Sequence, residues 1–254
     1  VAIVPLQLRE LSKRFGRLAV LRAIDLEVGA GEAVALLGAN GCGKTTLLSI
    51  AAGLLPSSGG SCTWGGPARD ELDVAARRSL AFVAHSTQIY GRLSARENLQ
   101  LLASLRGDAD DATTLDPLLE RVGLGDAITR LAGTFSRGMQ QRLAIARALV
   151  GRPELLLLDE PFTALDFAGR ATLARILLEE RARGAAILLS SHDLEAVAEV
   201  ADRAVLLADG RIVAAATRRA DEPVEAFAAR IRRLGVDTVP SVPSTGASPR
   251  GAHA

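Results

Sequence analysis

The stretch Ala33-Val34-Ala35-Leu36-Leu37-Gly38-Ala39-Asn40-Gly41-Cys42-Gly43-Lys44-Thr45-Thr46 decides the fold of this chain. Its opening apolar run suits a strand buried on both faces. The residues from Gly38 fit G-x-x-x-x-G-K-T, with a helix expected to begin near Lys44. Glycines let successive backbone N–H groups curl into an anion nest, and the positive end of the helix points at the same spot. The pattern therefore assigns Gly38, Ala39, Asn40, Gly41, Cys42, Gly43, Lys44, Thr45 and Thr46 to the phosphates of a nucleotide. Lys44 would reach the β- and γ-phosphates and Thr45 would ligate Mg²⁺. The plain alternative is a glycine-rich turn. Cys42 reads as a small residue that fits, or as a thiol made reactive at a helix N-terminus. Lysine occurs only at Lys13 and Lys44 in an arginine-rich chain, which singles out the compact ammonium at Lys44.

Similar apolar runs recur at Leu80 to Ala84, Leu155 to Leu158, Ala185 to Leu189 and Ala204 to Ala208, separated by stretches with helical spacing. Strands alternating with helices predict an α/β core with a mainly parallel sheet covered on both faces. Pro5 to Val28 has shorter, turn-interrupted runs and predicts an N-terminal antiparallel β layer. From Ser94 to Leu131 the pattern is helical, with Leu99, Leu102 and Leu105, then Leu115, Leu118, Leu119 and Val122, on repeating faces. It predicts an inserted α-helical lobe, bounded at about residues 94–148 within a domain of residues 1–235. Val236 to Ala254, with three prolines among Ser, Thr and Gly, predicts a disordered tail.

Thirty basic residues against 29 acidic ones leave a formal charge of +1, so the chain carries no overall electrostatic footprint for nucleic acid. Two cysteines make no disulfide framework, and no charged start followed by an apolar stretch marks a signal peptide at Val1. The cytoplasm is the expected compartment. The apolar runs are far shorter than the roughly 20 residues of a spanning helix.

Two further strand ends carry chemistry. Leu155 to Leu158 is followed by Asp159 and Glu160, which suit the Mg²⁺ shell and the polarisation of an attacking water respectively; a salt-bridged or capping pair is the alternative. Ala185 to Leu189 is followed by Ser190-Ser191-His192-Asp193, where His192 suits a γ-phosphate or water contact, and Ser191 or Asp193 a helix cap. Gly38, His85, Asp159 with Glu160, and His192 all follow predicted parallel strands. The carboxyl edge of one such sheet, where open parallel sheets bind ligands, would gather them.

About twenty residues before Asp159 stands Phe135-Ser136-Arg137-Gly138-Met139-Gln140-Gln141-Arg142. Ser136 is a good N-cap and Gly138 permits close approach, which makes a second anion site or the cap of an ordinary amphipathic helix. The segment resembles the signature of ATP-binding-cassette proteins, usually Leu-Ser-Gly-Gly-Gln. The serine and second glycine match and three positions depart. The resemblance extends over roughly residues 5 to 215 in the family order of motifs.

It implies a P-loop NTPase that binds ATP and Mg²⁺ and hydrolyses ATP with Glu160, His192 and Lys44. Two copies would face each other, so that each ATP lies between one phosphate loop and the other copy's Ser136 and Gly138. Phe15 resembles the aromatic residue that stacks on adenine, a core or surface Phe being the alternative. Thr163-Ala164-Leu165-Asp166 resembles the loop that crosses the dimer. His85 stands where the family has glutamine near Mg²⁺; a neutral imidazole can act as an acceptor there and an imidazolium cannot. The implied partners are a transmembrane permease and a second cassette, with the chain peripheral at the cytoplasmic face of the cell membrane. Together with Phe135 to Met139, the segments His85 to Tyr90 and Leu93 to Asn98 resemble the haem exporters of cytochrome c biogenesis. Drug, lipid or other small-molecule export and a soluble cassette ATPase are the alternatives.

Overall fold

The computed structural model describes residues 5–65, 74–107 and 112–237. A long hairpin of β1 (Leu6–Phe15) and β2 (Leu18–Val28) leads into β3 (Ala33–Leu37) and α1 (Lys44–Ala51). Then follow β4 (Gly59–Trp64), α2 (Val74–Ser79), β5 (Leu80–Val83), α3 (Ala95–Arg106), α4 (Ala112–Arg121) and α5 (Arg137–Leu149). The rest alternates strictly until its last hairpin: β6 (Leu155–Asp159), α6 (Phe167–Ala182), β7 (Ala186–Ser190), α7 (Leu194–Val200), β8 (Arg203–Ala208), β9 (Arg211–Thr217) and α8 (Val224–Asp237).

The main sheet has the order β5-β6-β7-β3-β8-β9, parallel except for the final β8–β9 pair. Its strands are unbroken apolar runs because both faces are covered, and the pleat sends alternate side chains to two separate cores. Val34, Leu36, Leu155, Leu157 and Leu188 join Leu6, Leu8 and Leu47 on the side of the antiparallel layer and α1. Ala35, Leu37, Leu156, Leu158, Ile187 and Leu189 join Leu99, Leu143, Leu173, Val197 and Phe227 on the helical side. The architecture is the α/β phosphate-loop fold expected from the sequence.

The antiparallel layer differs from the expected short, interrupted strands. β1 and β2 are long and nearly continuous, and the apparent interruptions are irregularities at Glu10 and Ala23, both at positive φ (46° and 50°). Each is tied locally: Glu10 N–H donates to Asp25 Oδ1, and Ala23 N–H to Ser12 Oγ. A third strand, β4, pairs with β1, and Trp64 at its end donates from its indole to Ala51 O at 2.7 Å.

Within the helical region, α3 begins with a capping box in which Ser94 and Glu97 satisfy each other's backbone N–H groups. Leu99 is buried as expected but Leu105 is 72% exposed. Six residues along a helix turn through about 600°, well off the starting face, and Ala103 takes the inward position instead. Of the expected tail, only Val236 and Asp237, the last residues of α8, fall among the described residues.

Candidate nucleotide site

The four parallel strands β3, β5, β6 and β7 end at one edge, and there Lys44, Thr45, Thr46, His85, Asp159, Glu160 and His192 line a single cleft of about 600 Å³. The loop from Gly38 to Gly43 wraps one side of it. Gly38 and Gly43 have φ of 144° and 114°. A Cβ on Gly38 would lie 2.3 Å from Leu207 O, and one on Gly43 2.9 Å from Leu21 Cδ2, so the loop's path is open only to glycine. Lys44 is largely buried and donates from Nζ to the carbonyls of Gly38 (2.8 Å) and Ala39 (3.2 Å), which holds the ammonium inside the loop's curve.

Asp159 closes the cleft from below. It is buried, and it accepts from Thr45 Oγ1 at 2.8 Å and Ser190 Oγ at 2.6 Å. The Thr45 hydroxyl and the Asp159 carboxylate therefore meet as an oxygen pair suited to a hard cation. Among the described residues no cluster of three or more His, Cys, Asp or Glu is placed to hold a metal alone. Magnesium bound through one carboxylate, one hydroxyl and nucleotide phosphates fits this sparse set of donors.

Glu160 has φ of 53°, a rare conformation for a residue with a Cβ, and its N–H is held by Ser190 Oγ at 3.0 Å. One carboxylate oxygen accepts from the His192 N–H at 3.2 Å. The other, Oε1, is buried without a hydrogen-bond partner and lies 3.0 Å from His192 Nε2, an ion pair when the imidazole is protonated. A buried carboxylate oxygen short of a hydrogen bond is costly, and Glu160 as a residue lines the cleft together with His192.

The other expected residues stand outside this cleft. Phe15 is half-exposed at the end of β1, with Lys13 Nζ 5.0 Å from its ring centroid. Cys42 places its Sγ toward Gly38, lining a neighbouring hollow with Leu18 and Leu207 rather than the cleft of Lys44. Ser136 caps α5, accepting from Met139 N–H at 3.2 Å, and is exposed. Asp166 caps α6, accepting from Gly169 N–H at 2.8 Å, beside Phe167, which is 90% exposed. Gly138 packs so closely on the Thr163–Asp166 loop that a Cβ there would lie 2.8 Å from Ala164 O. Phe135 fills the first signature position as a buried side chain under the Arg130 guanidinium.

Three residues without a role in the sequence reading hold this arrangement together. Ser190 bridges Asp159 and the Glu160 backbone. Gln141 is buried and donates to Pro161 O at 3.1 Å, tying α5 to the loop after Glu160. Asn98 is fully buried and clamps the turn before α3, accepting from Tyr90 N–H and donating to the carbonyls of Tyr90 and Ser94. A polar residue falling on the apolar stripe of an amphipathic helix, Asn98 with Ala95 and Leu99 and Gln141 with Ala144 and Ile145, is the signal that could have found them.

Residues 21–163 match the family described as ABC transporter. A fluoroquinolones export ATP-binding protein of Mycobacterium tuberculosis is 39% identical over 234 residues, covering 90% of this chain and 74% of that protein. The lantibiotic transport ATP-binding protein SrtF of Streptococcus pyogenes is 34% identical over 208 residues, covering 82% and 89%. Among solved structures, the dimeric post-hydrolysis state of the ATP-binding cassette MJ0796 bound to ADP and Pi superposes with a TM-score of 0.75 at 25% identity, covering 84% of this chain and 99% of that one. Motif order, fold and relatives agree: the chain belongs to the ABC transporter family as an ATP-binding subunit, an ATPase whose turnover is coupled to transport.

Proposed function

We propose that two copies of this chain clamp two ATP molecules at the cytoplasmic face of a membrane and so drive export through a separate transmembrane permease. Among the described residues no helix is long and apolar enough to cross a membrane. In each site the backbone of Gly38 to Thr46 cradles the phosphates, Lys44 leaves its loop carbonyls for the β- and γ-phosphates, and Phe15 stacks on adenine through the ring face away from Lys13. Ser136 and Gly138 come from the opposite copy, which accounts for a signature helix that lies outside its own chain's cleft. Asp166 and the loop before it lie at the seam between copies.

Thr45 and Asp159, with His85 beside them, would hold magnesium, which when bound supplies neutralising charge on the phosphate oxygens. Glu160 takes a proton from water as the water oxygen attacks the γ-phosphorus; the bond to the β–γ bridging oxygen breaks and ADP leaves with those electrons. His192 orients Glu160 and contacts the γ-phosphate. The observation that carries this reading is the convergence of Lys44, Thr45, Asp159, Glu160 and His192 on one cleft, with Glu160 Oε1 3.0 Å from His192 Nε2.

For cargo we take a small organic or peptide molecule, which the named functions of the fluoroquinolone and lantibiotic relatives favour. Haem is the second reading, resting on the segments His85 to Tyr90 and Phe135 to Met139. Loss of c-type cytochromes in a deletion strain would select haem, and raised drug or peptide sensitivity the first.

The mechanism is tested with Glu160→Gln, which keeps the side-chain shape. Hydrolysis is expected to fall by about 10²- to 10⁴-fold with ATP binding retained and an ATP-dependent dimer accumulating. Turnover unchanged in the variant would remove Glu160 from the chemistry.

A further inference from the structure

The hollow that Cys42 lines, of about 870 Å³, is a second space built on the phosphate loop. Asn40 and Gly41 line both the hollow and the cleft, so the loop is the partition between them. The other walls are apolar and come from three elements: Leu37 at the end of β3, Leu206 of β8 and Ile231 of α8. Leu18 adds an apolar side chain that is 66% exposed. Neither nucleotide binding nor hydrolysis, as derived above, uses this space.

Among the described residues, Arg22, Arg232 and Asp209 are the charged ones that line it, and all three are exposed. Arg22 is fixed at its base. Its N–H donates to Gly210 O at 2.7 Å, and its Cγ would touch a Cβ on Gly210 at 3.4 Å, which holds the stem against the turn between β8 and β9. The guanidinium at its tip has no hydrogen-bond or ion-pair partner among the described residues. Arg232 reaches Glu195 at 3.5 Å, a loose pair between two largely exposed side chains. With Asp209 as the single counter-charge, the rim carries an excess of one positive charge.

Ligand sites are mostly apolar, with a few fixed polar groups that orient what they bind. An apolar bowl with an anchored, unpaired guanidinium on its rim matches a molecule that is apolar over most of its surface and carries one negative group. A cationic ligand would meet two like charges, and a polyphosphate would leave the apolar walls without a partner. We propose that the hollow is a second small-molecule site, which takes a drug-sized amphipathic organic anion, its carboxylate at Arg22 and its apolar body against Leu18, Leu206 and Ile231. The site stands independently of the transport reading above.

Its occupant would bear on the backbone that cradles the phosphates. Leu207 O and Cys42 Sγ pack against Gly38, 2.3 and 2.7 Å from where a Cβ would stand, and both residues line the hollow. A ligand seated there and a nucleotide in the cleft thus share one loop, which gives the site a route to the ATPase.

The probe is dodecanoate, with dodecyltrimethylammonium as the same tail under the opposite charge, both kept below micelle formation. Titration calorimetry on the full chain saturated with Mg·ADP should show dodecanoate at one site, bound at least about 10-fold more tightly than the cation. In the nucleotide-free chain, dodecanoate at about ten times its Kd should slow alkylation of Cys42 by iodoacetamide by about 10-fold. Arg22→Gln should weaken dodecanoate by about 10-fold. Leu18→Asp, at a position exposed enough to spare the fold, should weaken it at least as much. Equal affinity for the two amphiphiles, or no effect of either substitution, overturns the proposal. Binding abolished by Mg·ADP does so too, because it puts the probe in the nucleotide cleft. A Cys42 shielded before any dodecanoate is added, and freed by diluting a dimer or by removing residues 238–254, would assign the hollow to a second copy or to the chain's own end instead.

Discussion

Replacing Gly138 by alanine separates the stability of this fold from its function. The added Cβ would stand 2.8 Å from Ala164 O, with the next neighbour, Ala164 C, at 3.9 Å, so one carbonyl bears the whole overlap. Relief to an ordinary contact needs a movement of roughly half an ångström, and inserting a carbon into a packed contact costs about 1–3 kcal/mol. Alanine recovers up to about 1 kcal/mol as a helix former. The net loss is then at most about 3 kcal/mol, which for a chain of this size lowers Tm by no more than about 12 °C.

The displaced carbonyl, however, belongs to the loop that starts at Glu160: Thr163 N–H bonds Glu160 O at 3.1 Å, and Pro161 is held by Gln141. A shift of that size in groups that must align with the γ-phosphate should lower kcat by about ten-fold or more. Thermal unfolding and steady-state ATPase assays on the same preparation check this. A kcat within about two-fold of wild type would refute the link between the signature helix and the catalytic loop. A Tm lowered by far more than about 12 °C would refute the claim that the overlap is local.

Two other outcomes follow from charge and burial. Arg96 holds the Asp116 carboxylate below its usual range by hydrogen bonding, so the pair joining α3 to α4 contributes fully above about pH 4 and is lost as pH falls through the lowered value. Tm curves of wild type and Asp116→Asn should run parallel above about pH 5 and converge below it, and curves parallel down to about pH 3 would refute the assignment. Burial pushes the Cys62 thiol up to about 12, whereas Cys42 is partly exposed. Iodoacetamide at mildly alkaline pH should therefore label Cys42 alone in the native chain and both thiols after denaturation; comparable native labelling of Cys62 would contradict the described packing of β4.

The strands of the main sheet were legible because burial on both faces demands an unbroken apolar run, and Ala33 to Leu37 or Leu155 to Leu158 admits little else. β4, with the sequence Gly-Gly-Ser-Cys-Thr-Trp, carries no such pattern; it is a strand because β1 lies beside it and Trp64 is pinned to α1. The kinks at Glu10 and Ala23 read locally as interruptions, and only the partner strand and the Asp25 and Ser12 side chains make them continuous. In the site, residues at strand ends could be named in advance because they follow their strands directly. Ser190 could not, since its link to Asp159 depends on β6 lying next to β7, and the order of strands in a sheet is not written in any one of them.

That dependence on strand order also explains why the site is built where strain can be held. Glu160 sits at φ of 53° and Ala164 at 66°, both in the loop after β6. Such backbone costs about 1–3 kcal/mol per residue and persists only when its surroundings over-determine it. Here Ser190 on β7 and Gln141 on α5 supply the constraint from two sides: one receives the Glu160 N–H, the other donates to Pro161 O. One constraint is anchored in the sheet that carries the phosphate loop, and the other in the helix that carries Ser136 and Arg147. Both constraints therefore converge on the Glu160 carboxylate in the cleft, the group whose position in the proposed mechanism decides whether a water attacks the γ-phosphorus or is merely bound.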